Sequence, residues 1–198
     1  MAKRVNRRGA ARREAIIDAA IELWSSSGWR GTGITAVAER AGVTHAGLLH
    51  HFGTKENLLL EVVAEEDRRN VARLADMFEP GGLDTLRRLP DIARVIDEHR
   101  ALSRLHLVLQ VENLDADGPA HDYYMSRQRF LRGAFADAVG LGQDRGEIRR
   151  DVEPRSIAAQ ILAFLEGANL QRQLDPAAID IVSLCEDFTS RLLRDLAA

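Results

Sequence analysis

Wherever apolar residues recur in this chain of 198 residues they stand three and four positions apart, and no stretch alternates apolar with polar as a half-buried strand would. The pattern predicts an all-α protein, in which each helix must bury one stripe against another helix. Ile16, Ile17, Ala20, Leu23 and Trp24 make the first stripe, predicting a helix over about 12–27 that Gly28 ends. After the loop Trp29-Arg30-Gly31, Thr32 reads as the N-cap of a shorter helix with Ile34, Val37, Ala38 and Ala41 on its inner face. Gly42 follows where a left-handed residue ends a helix cheaply, and Val43 returns the chain to the core.

Residues 44–55, Thr-His-Ala-Gly-Leu-Leu-His-His-Phe-Gly-Thr-Lys, then stand out. Thr44 and Thr54 are each suited to accept hydrogen bonds from the free N–H groups of a helix start. Between them only Leu48 and Phe52, four apart, share a face that can meet a core. His45, Ala46, Gly47, Leu49 and His50 point elsewhere, which makes a poor core element and a suitable reader of base edges. Two short helices joined by a glycine turn, the second exposed, form a helix-turn-helix, although any small bundle can contain such a corner. Adjacent helical residues point about 100° apart, so His50 and His51 cannot chelate one metal as an i, i+4 pair would. His51 fits equally as a packed residue near the helix end.

Charge supports a nucleic-acid role for this end of the chain only. The net charge is −3, yet residues 1–57 carry nine basic and five acidic side chains, so the head is +4 and the remainder −7. Only the head is thus expected to meet phosphate. Residues 1–13 hold six basic residues and no acid; they are either a solvated tail or an arm that follows the DNA backbone or a minor groove.

Thr54 opens a long helix expected to reach Phe78, with Leu58, Leu59, Val62, Val63, Val71, Leu74 and Phe78 inward and a charge run, 65–69, outward. It would be the lever between two domains, 1–55 and 56–198, and Pro80-Gly81-Gly82 breaks it. Further helices are expected at about 83–98, 101–115, 119–141, 154–173 and 176–197, separated by Asp117-Gly118-Pro119, the glycines of 140–146, Pro154 and Asp175-Pro176. In the middle helices Leu102, Leu105, His106, Leu109, Glu112, Tyr123, Tyr124, Arg127, Phe130 and Phe164 combine apolar bulk with polar handles, as a small-molecule chamber requires; ordinary core has the same spacing. In the last two helices Ala158, Ala159, Ala163, Gly167 and Ala168 are small enough for close helix approach, in plain core or between two copies.

Other classes find little support. One cysteine, Cys185, rules out a disulfide framework and a cysteine-rich zinc site. The most apolar run, 157–165, is far short of the roughly 18 residues of a membrane span and is interrupted by Gln160, and Glu14, Asp18 and Glu22 interrupt any leader, so a cytoplasmic protein is expected. There is no phosphate-loop, dinucleotide or zinc-protease motif and no nucleophile–base pair, so neither catalysis nor a cofactor is expected. An enzyme would show turnover of a pocket ligand, and a helical protein-interaction module would show no salt-dependent binding to duplex DNA.

The first sixty residues resemble the tetracycline-repressor (TetR) family of bacterial transcription regulators. The similarity runs through Ala15-Ile16-Ile17-Asp18-Ala19-Ala20, Leu23, Gly28, Thr32, Ile34, Val37-Ala38, Ala41-Gly42-Val43-Thr44, Gly47-Leu48, His50-His51-Phe52 and Thr54-Lys55-Glu56-Asn57-Leu58. The resemblance implies a nine-helix fold whose last two helices pair with their twins in a homodimer, a double-stranded operator as partner, and a small-molecule effector. It further implies phosphate contacts for Thr32 and Lys55, groove entry by Thr44, His45, Ala46 and Gly47, and bases or phosphates near His50 and His51. Leu49 stands where the family usually has a tyrosine on the DNA backbone; leucine can offer only apolar contact, for instance to a thymine methyl.

Overall fold

The computed structural model describes the backbone of residues 2–74 and 76–198 and the side chains outside 1–8, 66 and 69–75. The described residues form α1 (Ala2–Ser27), α2 (Ile34–Arg40), α3 (His45–Phe52), α4 (Lys55–Leu74), α5 (Gly82–Arg87), α6 (Leu89–Glu98), α7 (Arg100–Glu112), α8 (His121–Asp144), α9 (Pro154–Leu174) and α10 (Ile181–Leu196). Among them there is no strand, only one isolated bridge between Ile148 and Ala197. The all-α expectation holds, with α5 and α6 in place of the single helix expected at 83–98. The break falls at Arg88, just ahead of Pro90, which has no N–H to continue the ladder.

Several boundaries differ from the pattern: α4, expected to reach Phe78, is helical to Leu74, with turn and bend from residue 76. α1 begins at Ala2, well before its apolar stripe, because residues 2–11 are mostly Ala, Lys and Arg, strong helix formers, with no proline among them; Lys3, Arg4, Arg7 and Arg8 of the basic arm lie outside the described side chains, as do Val71 and Leu74 of α4. α8 runs through Gly140 and Gly142, which the sequence offers as separators. A Cβ at Gly142 would lie 2.6 Å from Ile148 Cδ1, so this glycine permits close packing rather than ending the helix. α10 starts at Ile181 because Asp180 caps it, accepting from the N–H groups of Val182 and Ser183.

By packing, the chain divides into two units, Met1–Arg69 with Arg104–Tyr124, and Asn70–Ser103 with Met125–Ala198. The first fully buries Ile16, Ala20, Trp24, Val37, Leu48, Leu58, Leu59, Val62, Leu105 and Leu109. The core of the second gathers Leu86, Leu89, Phe135, Val139, Ile148, Ile161, Cys185 and Leu196. On α9 the inward stripe is Ile157, Ala158, Ile161, Leu162, Leu165 and Ala168, while Ala159 and Ala163 are exposed and Leu170 and Leu174 are 50% and 76% exposed. No described helix is long and apolar enough to cross a membrane.

Candidate nucleic-acid interface

The two caps the sequence suggests are both formed, one at the start of α3 and one at the start of α4. The Thr44 hydroxyl accepts the Gly47 N–H at 3.0 Å, and Thr54, just before α4, accepts the Asn57 N–H at 3.1 Å. A Cβ at Gly47 would stand 3.0 Å from Thr44 Oγ1, so the absence of a side chain there leaves the cap room. Of the eight residues only Leu48 and Phe52 are buried. His45, Ala46 and His50 are exposed, and Gly47, Leu49 and His51 are half-buried. Gly53, with φ of 75°, ends the helix. His45 Nδ1 lies 3.0 Å from Thr35 Oγ1, which ties α3 to α2 and leaves Nε2 for an outside partner. The His50 and His51 rings meet edge-on at 5.9 Å and 67°, diverging as adjacent helical side chains must. No three His, Cys, Asp or Glu among the described residues are placed to hold a metal.

Thr32 departs from its expected place. It is buried, its hydroxyl donates to the Gly28 carbonyl at 2.8 Å and its N–H to that of Trp29 at 3.4 Å, and Gly33 is the N-cap of α2. Its donors serve the α1–α2 turn, because the turn residues Gly28 and Trp29 bring their own carbonyls within reach.

Lys55, the first residue of α4, places Nζ 4.6 Å from the centroid of the Trp29 ring. Burial pulls its pKa below the ordinary lysine value, while the carboxylates of Glu56 and Glu112 act in the opposite sense. Trp29 is 8% exposed, and its backbone is itself tied down. Glu112, the last residue of α7, accepts the Trp29 N–H at 2.9 Å through Oε2 and the Arg30 N–H at 3.3 Å through Oε1, and the Arg30 guanidinium donates to the Glu112 carbonyl at 2.9 Å. Sequence reasoning passes over Trp29 and assigns Glu112 to the chamber. The one available signal was the large aromatic directly after a helix-ending glycine.

The other chamber residues fall into two groups. In the first unit Leu105 and Leu109 are fully buried, the His106 and Tyr124 rings lie 5.4 Å apart, those of Tyr123 and Tyr124 5.0 Å, and the Tyr123 hydroxyl donates to the Val63 carbonyl at 3.1 Å. Leu102, Arg127, Phe130 and Phe164 belong to the second unit. Phe130 is 68% exposed and so lines no interior, and Phe164 is stacked on Phe188 at 3.8 Å.

Two family models match this chain, one described as bacterial regulatory proteins of the tetR family over residues 16–62, the other as the tetracyclin repressor-like C-terminal domain over residues 82–183. The A-factor receptor protein of Streptomyces griseus is 26% identical over 190 residues, 92% of this chain; the match spans 63% of that protein, less than two thirds. The HTH-type transcriptional repressor AcnR of Corynebacterium jeikeium is 29% identical over 185 residues, 93% of each chain. Among solved structures, the transcriptional regulator FadR of Bacillus subtilis in complex with stearoyl-CoA superposes with a TM-score of 0.75 at 18% identity, over 92% of this chain and 98% of that one, which shows a shared fold.

Proposed function

The chain belongs to the TetR family of bacterial regulatory proteins and is a transcriptional regulator, not an enzyme; from that premise we propose that it is a cytoplasmic homodimeric repressor that binds a near-palindromic operator and is released by a small-molecule effector. The observation that carries this reading is α3, a helix capped at its start, followed by the Thr54 cap and buried only through Leu48 and Phe52. Two copies would enter successive major grooves about 34–36 Å apart. His45, Ala46, Gly47 and His50 read bases, Leu49 meets a thymine methyl, and Lys55, His51 and the basic arm meet phosphates, which position the protein without specifying sequence. The donors of Thr32 being committed within its own turn, it acts as a strut behind this surface.

The exposed Ala159, Ala163, Leu170 and Leu174 of α9 support pairing of α9 and α10 with their twins, since small residues allow close approach and the leucines gain burial. For the effector, His106, Tyr123 and Tyr124 with Leu105 and Leu109 supply apolar bulk and polar handles within one unit. A relative known as a receptor and a fold neighbour holding an acyl-CoA support a small molecule as the ligand class. The effector must bind better to the conformation that does not fit DNA, because equal affinity for both states shifts nothing.

The test is selection of duplexes from a random-sequence library, followed by titration of the selected duplex over a range of salt. Lys55→Ala should weaken binding to all duplexes alike and reduce the salt slope by about one, whereas His45→Ala should change base preference. Identical behaviour of the two variants on a panel of operator changes would refute the role given to α3. No salt-dependent duplex binding at all would refute the repressor.

A further inference from the structure

We propose that Glu112 is a positioning residue of the DNA interface, whose carboxylate holds the turn formed by residues 28–30 against Lys55 and thereby sets where the ammonium meets phosphate. The proposal rests on the repressor reading and adds a residue 57 positions beyond Lys55. Both carboxylate oxygens are used, one on each of two consecutive backbone N–H groups, and Arg30 returns a third bond to the Glu112 carbonyl. The turn is shaped around this group. Gly28 has φ of +75°, and a Cβ there would lie 2.6 Å from Glu112 Oε1. The Trp29 indole nitrogen is buried without an acceptor among the described residues, so no hydrogen bond of its own orients the ring. Its place follows from the packing that leaves it 8% exposed, from its backbone, which the carboxylate holds, and from Lys55 over its face.

Electrostatics argue that the placement is specific. Glu112 ends α7, where the carbonyl end of the helix dipole disfavours negative charge and basic residues are the usual occupants. A carboxylate there needs compensating donors, and the turn supplies them. The same charge acts on Lys55 against the effect of burial, which favours the ammonium that a phosphate contact requires.

The experiment compares Glu112→Gln with the unsubstituted protein, each with and without Lys55→Ala, on the duplex selected by the unsubstituted protein. Glutamine keeps the shape but has a single acceptor oxygen for two N–H groups. Binding should weaken about tenfold, with the salt slope falling by about one, and the same change should cost less than about twofold once Lys55 is alanine. Glu112→Asp, which keeps the charge one methylene short, gives the same comparison if the glutamine variant does not fold. A residue that only supports the fold would lower binding equally in both backgrounds, and that result overturns the proposal. So does duplex binding by Glu112→Gln equal to that of the unsubstituted protein, which leaves the repressor reading intact. If the unsubstituted protein selects no duplex, both fall together.

Discussion

Gly28→Ala is the sharpest perturbation of the first unit, because its cost separates into two parts. The first is conformational: with φ of +75° an alanine is forced into the left-handed region, at about 1–2 kcal/mol. The second is steric. The new Cβ would sit 2.6 Å from Glu112 Oε1 and 3.7 Å from Oε2, so Oε1 must withdraw and its exposed bond from the Arg30 N–H is lost. That bond is long and exposed, so its loss adds about 0.5–1.5 kcal/mol, which brings the total to about 1.5–3.5 kcal/mol. Gly42→Ala is the control, since Gly42 has φ of +66° and nothing within 4 Å of an added Cβ, so only the first part applies. Trp24 and Trp29 are the chain's two tryptophans and both lie in the first unit, so urea unfolding followed by tryptophan fluorescence reports on that unit. In a Glu112→Ala background the cost of Gly28→Ala should fall back to that of Gly42→Ala. Equal costs for Gly28→Ala and Gly42→Ala in the unsubstituted background would show that no carboxylate stands against the turn.

Thr44→Ala removes the cap on the Gly47 N–H and should cost about 1 kcal/mol in the same unfolding experiment, with weaker duplex binding at unchanged fold by circular dichroism. Thr54→Ala, which removes the matching cap on the Asn57 N–H, should behave alike. Cys185 is buried, and burial pushes its thiol up to about 11, so at pH 8 only about one part in a thousand is thiolate; iodoacetamide should leave it unmodified until urea unfolds the second unit, as read by mass spectrometry. Since the folded thiol keeps its proton above the ordinary value of 9.0, the unfolded chain binds fewer protons between about pH 9 and pH 11, and the stability of the second unit should fall as pH rises through that window. An effector present at 100 times its Kd should raise the unfolding free energy by about 2.7 kcal/mol, and a substitution of Tyr124 that leaves this gain untouched would remove the aromatic cluster from the effector seat.

The features legible in the sequence are those whose physics is confined to a few neighbouring residues. Thr44 and Thr54 act on N–H groups three positions ahead, Gly42 needs only its own left-handed φ, and the stripe Ile16, Ile17, Ala20, Trp24 is a property of one helix. The all-α class, the helix-turn-helix and the exposed face of α3 followed from these alone. Tertiary structure decided whatever has two local solutions. A threonine after a turn can cap the next helix or bond backward, and Thr32 bonds backward because the Gly28 carbonyl stands within 2.8 Å. A glycine can end a helix or admit a neighbour, and Gly142 admits Ile148. Above all, a glutamate near aromatic residues reads as a pocket handle until the chain is folded. Only then do the N–H groups of Trp29 and Arg30, 83 and 82 residues away in sequence, take up the Glu112 carboxylate, a pairing no local spacing encodes.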